Sequence, residues 1–416
     1  MKISLKRTLT VFLALISLLL IALIFSSCSE NKKSGVTTLY VYNWGEYISD
    51  GSEGTLDVNK EFEKWYYETY GERVKVSYST YSSNEDMYAK LSGGAVNYDI
   101  IVPSDYMIER LISENMLAPL DYDNIPNIEN ILPEFYGKDA KYDYYDKGSV
   151  YSVPYFYGMI GIIYNTSMVD PADEDIGSWS LMWDKDYKGN ILQFNNSRDA
   201  FGTAQYYLGI DVNTDDENEW RRALEKLREQ KDIVQGYVMD EIFNKMENGS
   251  AAIAAYYAGD FLAMYENNED LEFFYPKEGT NLYVDAMCIP KNSKNKTLAE
   301  RYINFMLSEE PAIANAEYTY YASPNRVVVE SEEYKEYMSE IKDDAYEKMY
   351  GTDGVNATAY VNLTNEKLAL INELWEELKS DIDVSPTIYF MCTVIVISLV
   401  SFSVFFAVRK KIRNKY

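Results

Sequence analysis

The residues able to do chemistry in this chain are acids standing beside aromatic rings. Asn43-Trp44-Gly45-Glu46-Tyr47 follows an apolar run, and Tyr256-Tyr257-Ala258-Gly259-Asp260 follows another. Tyr283-Val284-Asp285 sets a ring and a carboxylate two places apart, which on a strand is one face. Asn195-Asn196-Ser197-Arg198-Asp199 opens a helical segment after a further apolar run. Carboxylates give charge-assisted hydrogen bonds to cationic nitrogen. A ring face attracts a cation by roughly 0.5–2 kcal/mol. A slender chain of methylenes between ammonium groups would use both, with acids at spaced points and rings along the stems. Tyrosine also packs cores and most acids face water, so a packed core under a solvated acidic surface accounts for the same composition.

Other chemistries are excluded more sharply. The 416 residues contain no histidine, which removes Ser-His and Cys-His nucleophile pairs and histidine metal sites. There is no Gly-x-Ser-x-Gly elbow and no Gly-rich phosphate loop, so an enzyme is not expected. Asp173-Glu174-Asp175-Ile176-Gly177 shares the start of a calcium loop but lacks its remaining ligand spacing. It reads as a solvated turn, and neither a metal nor a cofactor is expected. Cys28, Cys288 and Cys392 form no disulfide framework.

The two ends stand apart from the body. Lys2, Lys6 and Arg7 precede an uncharged, mostly apolar stretch that ends at Ser26-Ser27-Cys28. Residues 1–27 read as an export signal and 28–35 as a polar linker. Small residues before Cys28 resemble a bacterial lipobox, which would make Cys28 the lipidated first residue of the mature chain. Residues 387–408 are uncharged and rich in Ile, Val and Phe, and 409–416 carry five basic residues. That pattern predicts a transmembrane helix with a cytoplasmic tail and an extracytoplasmic body. The formal charge is −27. Once the eight basic residues of the two ends are set aside, the body stands at −35, a field that repels nucleic acid and attracts cations.

Between the ends, β-rich apolar runs alternate with helix-period segments, the signature of α/β layers. Strands are predicted at 38–43, 74–81, 99–103, 159–165, 190–194, 251–256, 271–275 and 283–289. Helices are predicted at 58–70, 84–91, 106–114, 199–208, 218–230, 241–247, 298–307, 332–341 and 365–379. Ser83-Asn84-Glu85-Asp86 opens the second helix as a capping box. In the run 98–106 a strand leaves at Pro103, and Ser104 or Asp105 caps the next helix. Ligands of open α/β sheets bind outside strand carboxyl ends, which places Ser104 and Tyr106 near a pocket. Spacing alone favours a cap and a packed ring over a role in binding.

The order of these segments carries a resemblance. Leu39-Tyr-Val-Tyr-Asn-Trp-Gly-Glu-Tyr47, Tyr78-Ser-Thr-Tyr-Ser-Ser-Asn-Glu-Asp-Met-Tyr88, Tyr98-Asp-Ile-Ile-Val-Pro-Ser-Asp-Tyr106 and Tyr151-Ser-Val-Pro-Tyr155 come first. Trp183-Asp-Lys-Asp-Tyr-Lys-Gly189, Tyr275-Pro-Lys-Glu-Gly279, Asp285-Ala-Met-Cys-Ile-Pro290 and Tyr321-Ala-Ser-Pro-Asn325 follow. Together they resemble the spermidine/putrescine-binding proteins of bacterial polyamine ABC importers. The resemblance implies a two-lobed α/β fold of the periplasmic-binding-protein type (type II) with a hinged cleft. It divides the body into 36–156 with 284–329, and 157–283 with 330–383. It implies a ligand site at Trp44, Glu46, Tyr47, Ser104, Tyr106, Asn196, Asp199, Tyr257, Tyr283, Asp285 and Tyr321. Tyr257 and Tyr283 fall where the family often has tryptophan, and Asn196 falls where it often has an acid.

The function implied is capture of a polyamine outside the cell membrane and delivery to permease subunits, by a membrane-anchored protein that binds no nucleic acid. A tethered polyamine sensor with no transport role is the alternative, motivated by the two anchors. The short tail ending at Tyr416 speaks against it, because no signalling domain follows.

Overall fold

The computed structural model describes residues 35–94, 96–351 and 354–380. Cys28, the linker up to residue 34, the expected span 387–408 and the basic tail lie outside these residues. No helix among the described residues is long and apolar enough to cross a membrane.

The first third of the body alternates strand and helix: β1 (Thr37–Trp44), α1 (Val58–Tyr70), β2 (Val74–Tyr81), α2 (Asn84–Ser92), β3 (Ile100–Ile101) and α3 (Asp105–Ser113). A long strand, β4 (Ser152–Asn165), then leads to β5 (Ile191–Phe194), α4 (Ser197–Leu208), α5 (Glu217–Lys231), β6 (Val234–Val238), α6 (Glu241–Glu247), β7 (Ile253–Tyr257), α7 (Ala258–Tyr265) and β8 (Leu271–Phe274). β9 (Thr280–Cys288) precedes α8 (Lys296–Met306), α9 (Glu309–Thr319), α10 (Arg326–Val329), α11 (Glu332–Ile341), α12 (Ala345–Tyr350), β10 (Ala357–Ala359) and α13 (Asn365–Ser380).

Local chemistry explains the boundaries. Asp57 caps α1 by accepting from the Lys60 amide, and Gly71 ends it in the left-handed region at φ 70°. Val58, Phe62 and Tyr66 give that helix one buried stripe. Ser83 accepts from the Asp86 amide, which forms the N-cap half of the expected capping box, while the Asp86 carboxylate accepts from the Ser82 hydroxyl.

The strand order is β2-β1-β3-β9-β4-β7-β5-β6, with β8 on β4 and β10 on β9. β1 lies parallel to β2 and β3, and β5 lies parallel to β6 and β7. Two half-sheets result, and β4 belongs to both. Its start pairs antiparallel with β9, and its end pairs with β7 and β8. Every residue of β9 is buried and nearly every residue of β4, as expected of strands covered on both faces. The register shifts between Pro154 and Phe156, at a residue without an amide proton.

This topology fixes where a site can be. The carboxyl ends of β1, β2 and β3 and those of β5, β6 and β7 supply residues that line one cavity between the half-sheets, as the general rule for open α/β sheets requires.

Candidate functional site

The cavity has an empty volume of ≈ 760 Å³, its open mouth included. All eleven site residues expected from sequence line it, and Glu85, Met239, Asp240, Phe243, Tyr256, Asp260, Asn281 and Tyr360 also contribute. Six carboxylates and nine aromatic rings face it, and among the described residues no Lys or Arg does. A wall of that composition favours a cation and disfavours an anion.

At the end of β1, the Trp44 indole donates to the Val102 carbonyl at 2.8 Å, which fixes the ring against the end of β3. Glu46 follows at φ 47°, a left-handed conformation that costs a non-glycine residue about 1–2 kcal/mol. The turn tucks Tyr47 back into the body, where its hydroxyl donates to Asp285 Oδ2 at 2.7 Å. Glu46 itself is exposed at the rim.

Ser104 sits at the N-cap position of α3 but makes no capping bond. Its hydroxyl accepts from Asn84 Nδ2 at 3.1 Å, and its amide donates to Asn84 Oδ1 at 3.1 Å. Asp105 accepts from the Tyr106 amide, the Val284 amide and the Tyr144 hydroxyl. The expected cap is therefore a brace between α2, α3 and β9. Tyr106 donates to Glu85 Oε1 at 3.0 Å.

On the other half-sheet, Asn196 caps α4 by accepting from the Asp199 amide at 2.8 Å. Its own amide donates to Asp199 Oδ2 at 2.8 Å. The first bond is an ordinary N-cap and the second joins the two side chains through Asn196 Nδ2, so Asn196 is committed to holding Asp199. Tyr257 also donates to Asp199 Oδ2, at 2.6 Å. Its ring meets Tyr283 edge-on at 5.5 Å. Tyr283 packs against a strand neighbour that must be glycine, because a Cβ on Gly158 would lie 2.5 Å from the Tyr283 hydroxyl. Tyr321 donates to Asp260 Oδ2 at 2.9 Å.

Burial raises the carboxyls of the cavity. Asp285 is pushed up to about 6 by burial, with Asp199 adding to it. Asp260 is pushed up to about 8 by burial, with Asp240 and Glu46 adding to it. Asp199, Glu85 and Asp240 are raised too, burial being the largest cause in each. Such groups gain when a cation arrives, because an opposite charge favours the ionised form. Asp285 Oδ1, the Tyr283 hydroxyl and Asn281 Oδ1 are buried and have no hydrogen-bond partner among the described residues.

Sequence reasoning marked the Asp260 segment but missed Asp260 as a lining group. Asp240 and Tyr360 carry no local signal. Asn281 could have been found, because it stands two places before Tyr283 and so shares its face. Elsewhere, Asp173, Asp175 and Asp184 place carboxylate oxygens within 4.8 Å of one another. Each is already engaged, by the Tyr187 hydroxyl, the Ser180 hydroxyl and the Asp186 amide respectively.

Residues 58–340 match the family model described as bacterial extracellular solute-binding protein. The chain is 35% identical over 291 residues to the spermidine/putrescine-binding periplasmic protein of Salmonella typhimurium, covering 69% of this chain and 78% of that protein. It is 28% identical over 375 residues to the putrescine/cadaverine-binding protein of Pseudomonas aeruginosa, covering 87% and 98%. Among solved structures, one from Listeria monocytogenes superposes with a TM-score of 0.73 at 36% identity, covering 83% of this chain and 99% of that one.

Proposed function

The chain belongs to the bacterial extracellular solute-binding protein family and has its periplasmic-binding-protein-like α/β fold, and from that premise we propose that it captures linear polyamines outside the cytoplasm and delivers them to an ABC importer. The observation that carries this reading is the wall of the cavity: six carboxylates, nine rings and no described base. The named relatives that bind spermidine, putrescine or cadaverine support it.

The mechanism follows from the placement of the acids. Asp285 and Asp199 stand on different half-sheets and each is held on one oxygen by a tyrosine hydroxyl. An ammonium between them would discharge the cost of burying both carboxylates. Ring faces of Trp44, Tyr257 and Tyr283 would cover the methylenes. A ligand touching both half-sheets favours their closed arrangement, and closure about the β4–β9 crossing is the signal that a permease would read. The division at 36–156 with 284–329, against 157–283 with 330–383, makes those two bodies the moving parts.

We place the body on the extracytoplasmic side, tethered through lipidated Cys28 and the span 387–408, on the sequence pattern of the two ends. Mass spectrometry of the mature N-terminus and protease accessibility in intact cells check this placement.

The function is tested by calorimetric titration of the purified chain with spermidine, putrescine, lysine, thiamine and glucose. Binding of the first two is expected, with the neutral sugar inert. Binding of an anion or a sugar and of no amine overturns the reading.

A further inference from the structure

Buried polar atoms without partners mark places where something else completes the hydrogen bonding. Three of them fall on one strand and line one cavity: Asn281 Oδ1, the Tyr283 hydroxyl and Asp285 Oδ1. They stand at alternate places of β9, so their side chains leave the same face.

Asn281 is the unexplained member. It is 4% exposed, and its backbone is fixed by pairing with Thr358 of β10. A buried amide oxygen without a donor costs about 1–3 kcal/mol. An apolar side chain would avoid that cost, as Leu282 and Val284 do on the opposite face.

We infer that Asn281 is a specificity-determining residue of the cleft: its carboxamide oxygen accepts an N–H from one nitrogen of an extended amine whose far end sits on Asp285, which fits the cleft to a triamine over a diamine. The inference rests on the polyamine reading above. Four residues of strand rise put the two Cα atoms about 13 Å apart. A four-carbon diamine has only five bonds between its nitrogens, each about 1.5 Å long, and reaches about half that distance. A triamine adds a second alkyl segment and a third nitrogen. Its methylenes then pass the Tyr283 ring, which lies between the two anchors. An amide suits the place because six carboxylates already line the cavity. A further charge would add like-charge repulsion, whereas an amide oxygen accepts without it.

The test is calorimetry of the full chain and its Asn281→Leu variant with spermidine and putrescine. The wild-type chain is expected to prefer spermidine by about tenfold or more, the scale of one hydrogen bond to a charged group. Asn281→Leu is expected to weaken spermidine by about that factor and to leave putrescine within about threefold. Asn281→Ala carries the same expectation if the leucine variant loses the wild-type circular dichroism spectrum. Equal wild-type affinity for the two amines, or an equal loss of both in the variant, overturns this inference and leaves the polyamine reading standing. Binding of neither amine by the wild-type chain overturns the polyamine reading itself.

Discussion

The Tyr47 hydroxyl donates to Asp285 Oδ2 across 2.7 Å, joining residues 238 places apart in the chain. The other carboxylate oxygen, Oδ1, is buried and has no hydrogen-bond partner among the described residues. The tyrosine therefore holds one oxygen of a carboxylate that lines the cavity, and the nearby Ser104 side chain, like Tyr47, opposes the rise that burial imposes on it. Tyr47 is in turn fixed by Tyr321, whose ring meets it edge-on at 4.8 Å.

Two substitutions separate orientation from charge at this pair. Asp285→Asn removes the charge and is expected to weaken amine binding by roughly 2–5 kcal/mol, the range for truncating one partner of a buried charged pair. Tyr47→Phe keeps the ring and removes the donor, with an expected loss of about 1–3 kcal/mol. Calorimetry of both variants decides the matter. Unchanged spermidine and putrescine affinity in Asp285→Asn would remove this residue from the site.

The raised carboxyls give a pH signature with a definite sign. Asp285 stands at about 6, Asp105 at about 7 and Asp260 at about 8, against a starting value of 3.8 for each. Between roughly pH 4 and pH 8 the folded empty protein keeps protons that the unfolded chain has released. Its stability is therefore highest at the acid end of that window and falls as pH rises through these folded values. A bound cation favours the ionised carboxylates, so amine affinity moves the other way and rises with pH. Thermal unfolding with and without spermidine at about pH 5 and about pH 8 checks both. The ligand-induced shift is expected to be larger at the higher pH, and equal shifts would sink the account.

Gly259 tests how tightly the tyrosines are seated. A Cβ there would lie 2.3 Å from the Tyr321 ring. That ring cannot swing away freely, because its hydroxyl is bonded to Asp260. Gly259→Ala is expected to lower stability by about 1–3 kcal/mol, as overpacking does, and to weaken amine binding as Tyr321 moves. Gly236→Ala is the control, since no heavy atom lies within 4 Å of its added Cβ. Denaturant unfolding of the two variants should separate them, and equal stabilities would contradict the packing argument.

Much of the site was legible because strand-end chemistry is local. Trp44, Ser104, Asn196 and Tyr257 each follow an apolar run directly, and each reaches the cavity. What could not be read depends on distant pairing. Asp240 follows β6, a half-buried strand interrupted by Gly236, and Tyr360 follows β10, only three residues long. Neither has an alternation to detect. The first half of β4 was missed because it is buried on both faces and carries Pro154. α7 was missed because six of its eight residues are buried, which erases the amphipathic period. The local pattern offers Ser104 or Asp105 as a cap, but the partner of the Ser104 hydroxyl, Asn84, lies twenty places away.

Arg198 poses the sharpest question, because a buried cation beside a cation site should be harmful. It is 3% exposed, and its guanidinium lies 4.4 Å from the Tyr360 ring centre. One nitrogen donates to Asn213 Oδ1 at 3.2 Å, while Nε and Nη1 have no partner among the described residues. Burial raises the Asp199 carboxyl, and the hydroxyl of Tyr257, the amide of Asn196 and then the charge of Arg198 oppose that rise. Arg198 thus has two opposed effects on an amine: it repels the ligand, and it favours the ionised form of Asp199 that would receive it. Arg198→Met keeps most of the stem volume and removes both. Removing the guanidinium withdraws one of the groups that oppose the rise at Asp199, so the variant's spermidine affinity is expected to fall further behind wild type as pH is lowered. As pH is raised the need for that help shrinks while the repulsion stays removed, so the variant is expected to close on wild type or pass it. Convergence or crossing of the two affinity curves as pH rises is the outcome to look for. The same fold-change at every pH would mean that Arg198 acts through packing against Tyr360 and Trp220 alone.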